Sequence, residues 1–233
     1  MIQLQKGWNI NLAKEAKGIS VFRMGLAWDA NAGTGADFDL DAAAIPLKED
    51  GKAVDGEAIC FYGQLNWKDA IKHSGDERTG AADGDDETIT IDTAKMPAEV
   101  AKVIVLVNIH DAKNRQQNFG QVKNAKVTLY KGESGVAESD ILAKYDLEED
   151  ASMSRCLIFC ELYKKDGEWK FKAINESQSF RRALYNFHNS KRTKVSVLNI
   201  EDVMSKDPAI YRLSPYYLNN IFDQLCDSAD FVK

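Results

Sequence analysis

The stretch ETITIDTAKMPAEVAKVIVLVNIH, residues 87–110, carries two kinds of strand signal in succession. From Thr88 to Asp92 isoleucine alternates with threonine and aspartate, the period of two that buries one face of a strand. From Val103 to Ile109 the run is almost wholly apolar, which suits a central strand covered on both sides. Between them, Pro97 to Lys102 is expected to form a short helix with proline near its start. Strand-like runs recur on either side, at Ile19 to Trp28, Ala58 to Leu65, Lys126 to Tyr130 and Arg155 to Tyr163. Lys164-Lys165-Asp166-Gly167-Glu168 then makes a polar turn, and Trp169 to Ile174 alternates again, which predicts a hairpin. Several short strands with few helical patterns between them indicate a mainly β protein, a β-sandwich.

Composition shifts near residue 180. Residues 181–233 hold eight Lys/Arg and six Asp/Glu, against 22 and 30 in the preceding residues, so an acidic body precedes a mildly basic tail. The chain therefore divides into a sandwich over 1–180 and an extension over 181–233. The extension reads as helical over Arg181 to Ser190, Ile200 to Lys206 and Pro215 to Cys226. In the last, Tyr217, Leu218, Ile221, Phe222 and Leu225 recur at three- and four-residue spacing. Ser214-Pro215 supplies a cap and first turn for it.

With 233 residues, 44% hydrophobic, 28% charged and a net charge of −6, the chain has an ordinary soluble balance. That balance fits neither disorder nor general nucleic-acid binding. No apolar run approaches the ~20 residues of a membrane span, and MIQLQKGWNI lacks the basic and apolar regions of a signal peptide. Cys60, Cys156, Cys160 and Cys226 show neither CxxC pairing nor zinc-knuckle spacing, so buried, reduced thiols in a cytoplasmic protein are expected.

Two acidic clusters carry the chemistry: Asp29 with Asp37, Asp39 and Asp41, and Asp76-Glu77 with Asp83, Asp85, Asp86 and Glu87. Four aspartates and no Lys or Arg fall between Arg23 and Lys48. Asp37, Asp39 and Asp41 alternate, so in an extended chain they point the same way, about 6–7 Å apart. At an effective dielectric near 20, each such pair repels by about 2 kcal/mol. A divalent cation turns that repulsion into attraction. Calcium suits the donors because it takes about six to eight oxygens in flexible geometry. The glycines at 33, 35, 75, 80 and 84 permit tight turns. Neither acidic core contains Cys or His, which disfavours zinc and copper. EF-hand geometry fails twice: counting from Asp37, Ala42 and Lys48 replace the required glycine and glutamate, and counting from Asp83, Thr88 and Ala94 do so. The alternative is a pair of solvated acidic loops.

Several long segments resemble the TerD family: GLAWDANAGTGADFDLDA (25–42), HSGDERTGAADGDDETI (73–89), VNIHDAKNRQQNFGQVKNA (107–125), YDLEEDAS (145–152) and LYKKDGEWKFKAI (162–174). The resemblance covers about residues 1–175. It implies a β-sandwich with calcium-binding loops at one end, two bound calcium ions and no enzymatic activity. It further implies a role in tellurite resistance, phage and colicin resistance and general stress response, with other stress-response proteins, or a membrane-associated complex of them, as partners. The family's acidic signature falls on Asp29, Asp37, Asp39, Asp41, Asp76, Asp83, Asp85, Asp86 and Glu87. Glu77 departs from it, standing where the family usually has asparagine. Asn175 to Phe180 departs as well, where a glycine-containing segment is usual.

Other features take weaker readings. His110-Asp111, at a strand end, is expected to be hydrogen-bonded structure, and His73 to shape a turn. Asn114 to Asn118 is a polar loop with no chemistry assigned. The chain has no GxSxG, P-loop or GxGxxG motif. Three functions follow. A non-enzymatic, calcium-ordered scaffold for protein partners leads. A Mg/Mn-dependent phosphoryl-transfer or hydrolytic enzyme using the carboxylates is the rival. Nucleic-acid or membrane-surface binding through the basic tail is the weakest.

Overall fold

The computed structural model describes residues 2–176 apart from 6, 52, 56, 113, 134–136 and 147–154. The helices expected between 181 and 233, with their basic runs and aromatic stripe, lie outside the described residues.

The described chain forms two sheets. One has seven strands: β1 (Ile2–Gln3), β3 (Val21–Ala27), β5 (Asn66–Trp67), β6 (Ile71–His73), β7 (Glu87–Asp92), β9 (Lys126–Lys131) and β10 (Ile141–Asp146). Their spatial order is β1-β10-β9-β3-β7-β6-β5, antiparallel throughout except for the parallel β1–β10 pair. The second sheet is antiparallel, in the order β2 (Asn9–Asn11), β12 (Glu168–Glu176), β11 (Cys156–Lys165), β8 (Lys102–Ile109) and β4 (Leu40–Leu47). A one-turn helix, α1 (Leu12–Glu15), is capped by the Asn11 side chain. No helix among the described residues is long and apolar enough to cross a membrane.

The strand patterns at 88–92 and 103–109 do what their periods predict. In β7, Ile89 and Ile91 are buried and alternate with half-buried neighbours. In β8 every residue after Lys102 is buried. The sheets meet through side chains such as Tyr145 of β10 against Phe159 of β11, centroids 5.9 Å apart, and Phe159 against Phe171 of β12 at 6.4 Å. Burying an aromatic of this size contributes about 1.5–3 kcal/mol. Cys160 sits in the same layer, its Sγ 3.6 Å from Met24 Sδ. Cys60 and Cys160 are free and buried. Burial pushes both thiols up, that of Cys60 to about 12, so neither is a nucleophile. The β11–β12 hairpin turns through Asp166 (φ 56°) and Gly167 (φ 76°), the two left-handed residues that match strand twist.

Two expected elements differ. Pro97 to Lys102 is a turn, closed by Val100 N–H to Pro97 O at 3.0 Å; Ala101 N–H then donates to Leu47 O at 2.9 Å, so β4 captures the chain before a helix can form. Ala58 to Leu65 is a folded-back segment. Cys60 exchanges both backbone bonds with Ala44 (2.8 and 2.9 Å), and Phe61 and Gln64 close a tight turn on each other (3.1 and 2.9 Å). The Gln64 amide holds that turn by donating to the Glu57 and Ile59 carbonyls. Conversely, Leu40–Leu47 is a fully buried strand with Pro46 inside it. It lies at the end of its sheet, where a missing N–H is tolerated.

Candidate metal centre

Register places three loops at one end of the sandwich. Leu40 opposes Ile109, Leu26 opposes Glu87, and Ala27 opposes Lys126. The connections 28–39, 74–86 and 110–125 therefore emerge together. Trp28 stitches the first two: its indole N–H donates to Phe38 O at 2.9 Å, and its backbone N–H to Asp86 Oδ2 at 2.9 Å. Asp86 also accepts from Ala82 N–H at 3.1 Å. Gly80, at φ +69°, lies so close to Trp28 that a Cβ there would fall 2.4 Å from the indole ring. Glu77 folds back on its own loop, accepting from the backbone of Thr79 (3.0 Å) and Gly80 (2.6 Å). Burial would raise its pKa, but these bonds and the Thr79 hydroxyl outweigh burial and lower it. The departure from asparagine thus braces the turn.

Within this frame Asp39, Asp41 and Asp76 each bring one carboxylate oxygen to within 4.8 Å of the others. Asp39 and Asp41 are buried, and Asp39 Oδ1 has no hydrogen-bond partner. Asp41 Oδ2 accepts from the Asn108 amide at 3.1 Å and lies 3.9 Å from His110 Nδ1. Burial raises the Asp41 pKa well above normal, and Glu87, Asp39 and Asp76 push it further. Burial also raises Asp39, with Asp76 adding to it while His110, Arg115 and Arg78 oppose.

The donor set fits calcium. All donors are oxygens, and two oxygens on opposite sides of a calcium ion stand about 4.6–5.2 Å apart, twice the usual bond length. A buried carboxylate oxygen with no partner is also costly unless a cation or water completes it.

Beneath the cluster, Glu87 and His73 form a second buried layer. Glu87 Oε2 accepts Ala42 N–H at 2.8 Å and lies 3.3 Å from His73 Nε2. His73 Nδ1 accepts from Gly75 N–H at 3.0 Å, so the ring proton sits on Nε2 and is directed to Ala42 O at 3.1 Å. Burial lowers His73 to about 4 and raises Glu87 to about 9, which leaves both neutral at pH 7.

The remaining predicted residues go elsewhere. Asp85 lies over Gly25, held by Arg23 (3.3 Å) and the Tyr130 hydroxyl (3.2 Å), with the guanidinium stacked 4.4 Å above the Tyr130 ring. Asp29 is exposed and accepts from the Asn124 amide at 2.6 Å. Asp37 and Asp83 are exposed. β4 begins at Leu40, so Asp37 stays in the loop and does not join Asp39 and Asp41.

Sequence reasoning passed over three neighbours. Arg115 Nη1 is 3.6 Å from Asp39 Oδ2, and Arg78 Nε is 3.9 Å from that oxygen and 3.7 Å from Asp76 Oδ2. Gln117, buried, donates to the Ala36 and Asp37 carbonyls at 2.8 and 3.2 Å. The polar run Asn114 to Asn118 was the visible signal of Arg115 and Gln117, whereas Arg78 lies inside the second acidic loop.

The TerD domain family model matches residues 1–189, somewhat past the point to which the motifs could be traced. The Tellurium resistance protein TerD of Serratia marcescens is 43% identical over 176 residues, 75% of this chain and 90% of that protein. General stress protein 16U of Bacillus subtilis (strain 168) is 42% identical over 175 residues, 74% of this chain and 89% of that protein. A crystal structure of a homologue of telluride resistance protein (TerD) from Streptomyces coelicolor A3(2) shares the fold. Its TM-score is 0.58 at 23% identity, over 68% of this chain and 90% of that one.

Proposed function

Because this chain belongs to the TerD family, whose members bear the names of tellurium-resistance and stress proteins, we propose that it is a non-enzymatic, calcium-ordered scaffold for stress-response partners. The observation that carries this reading is the convergence of Asp39, Asp41 and Asp76, with a buried, unpartnered oxygen on Asp39. An ion bound there ties the first acidic loop, which leads into β4, to the second, which carries Asp76. Metal occupancy then controls the surface this end presents. The relatives' names describe resistance and stress rather than catalysis, which supports a scaffold over an enzyme. Free, buried Cys60 and Cys160 support a reducing, cytoplasmic setting.

Calorimetric titration of calcium into chelator-treated protein tests the reading, with thermal unfolding in parallel. A ligand that binds only the native state at 100 times its Kd stabilises by about 2.7 kcal/mol. Asp39→Asn with Asp76→Asn should abolish that gain, while Asp85→Asn should retain it. The titration's stoichiometry counts the ions: two are expected from the family, and the Asp39–Asp41–Asp76 group accounts for one. No heat and no stabilisation at millimolar calcium would refute the proposal.

A further inference from the structure

Two arginines stand against a group of carboxylates suited to a cation, although their charge works against cation binding. Arg78 comes from the second acidic loop and Arg115 from the loop after β8, yet both approach the same atom, Asp39 Oδ2, at 3.9 and 3.6 Å. At these distances they neutralise charge without hydrogen-bonding Oδ2, and Arg115 Nη1 donates instead to Asp37 O at 3.4 Å; Asp39 Oδ1 has no hydrogen-bond partner. Arg78 is 66% exposed and Asp76 39% exposed, so the cluster opens to solvent on the side where Arg78 stands.

Charge counting gives the arginines a purpose. Three ionised carboxylates and two guanidiniums sum to −1, and a divalent ion makes the loaded centre +1. Three carboxylates supply three to six oxygens, whereas calcium takes about six to eight, so coordination positions remain on the open side. Beside those positions stand planar guanidiniums, whose forked donors match carboxylate and phosphate oxygens. We propose that the metal-loaded centre, with Arg78 and Arg115, is a binding site for an oxyanion whose oxygens bridge the cation and the two guanidiniums. Without metal, the arginines turn to Asp39 and Asp76 and the anion site does not exist. Anion and metal are thereby coupled, each tightening the other by the same factor. A partner's phosphate group or acidic side chain would engage only the loaded protein.

This inference rests on the calcium reading, and the test separates the two. Calcium is titrated into the full chain in chloride buffer, then with sulfate or acetate present; each anion is also titrated into calcium-free protein. The expected result is calcium binding in chloride, at least fivefold tighter with the effective anion, and no anion binding without calcium. A response to sulfate alone would identify a phosphate-type group, and a response to acetate alone a carboxylate. Arg78→Ala should tighten calcium binding in chloride severalfold by removing a competing charge, while losing most of the anion effect. Arg115→Ala should act in the same two directions, and Arg78→Lys should keep the charge competition but weaken the forked anion contact. Calcium binding that neither anion alters, or an anion effect unchanged in Arg78→Ala, would overturn the inference and leave the calcium reading intact. Absence of calcium binding would overturn both.

Discussion

Calcium binding should release protons, because burial and the neighbouring carboxylates favour the protonated form of metal-free Asp41. Asp39, Asp41 and Asp76 bring oxygens within 4.8 Å of one another. At that separation and an effective dielectric near 20, one ionised neighbour opposes a second charge by about 3 kcal/mol. Burial of Asp41 is the larger cause, and this repulsion acts in the same direction, both favouring the protonated form. A cation among the three needs all of them ionised, so it must expel the proton. The sign follows: below the raised pKa of metal-free Asp41, affinity weakens as pH falls, by up to about tenfold per pH unit for one proton. Calorimetry in PIPES and in Tris, whose ionisation heats differ, reads the proton count from the difference in apparent heat. Net proton release on calcium binding is expected, growing as the pH is lowered. Identical heats in both buffers, with affinity that does not weaken on acidification, would refute the reasoning.

The metal-free protein should also lose stability as pH rises past neutrality. Glu87, raised from 4.5 to about 9, adds stability that is full below 4.5 and lost as pH rises toward 9. His73, lowered from 6.5 to about 4, adds stability that is full above 6.5 and lost as pH falls toward 4. These two slopes oppose each other between 4.5 and 6.5, while the raised carboxyl of Asp41 adds a further loss as pH rises. Above that range, stability should fall by about 1.4 kcal/mol per pH unit, and an unfolding midpoint still rising past neutrality in chelator would contradict it. Gly80→Ala puts a side chain at φ +69° against the Trp28 indole; denaturant titration should show a loss of about 1–3 kcal/mol. Phe159→Ala, at the meeting of Tyr145 and Phe171, should cost about 3–5 kcal/mol, and a loss under 1 kcal/mol would mean that the core does not depend on this layer.

Strands whose burial follows a simple period were legible beforehand. The isoleucines of β7 and the apolar run of β8 specify their neighbours directly, and the β11–β12 hairpin follows from Asp166-Gly167. β4 was not legible: its alanines and Pro46 carry no strand periodicity, and it exists because β8 on one side and Cys60 on the other supply its hydrogen bonds. The site divides the same way. Two acidic loops announce a cation, but adjacent Asp85, Asp86 and Glu87 have three separate destinations. Asp85 lies over Gly25, Asp86 holds the Trp28 and Ala82 amides, and Glu87 reaches beneath the cluster. Strand alternation at the start of β7 separates them, and only the registers of three strands determine which one meets Gly25 and which meets Ala42. Arg78 and Arg115 fall in different loops, and no local pattern links them.

The boundary strand β4 also bears on self-assembly. Its backbone groups that turn away from β8 are occupied in sequence: Ala42 by Glu87 and His73, Ala44 by Cys60, and Pro46 by Val54, with no N–H of its own to offer. A border finished this way offers no template for another chain to extend the sheet. Two titratable side chains perform the work of a missing strand at Ala42. A pH or a substitution that dislodges them would unseal that border, and edge-to-edge aggregation would begin there.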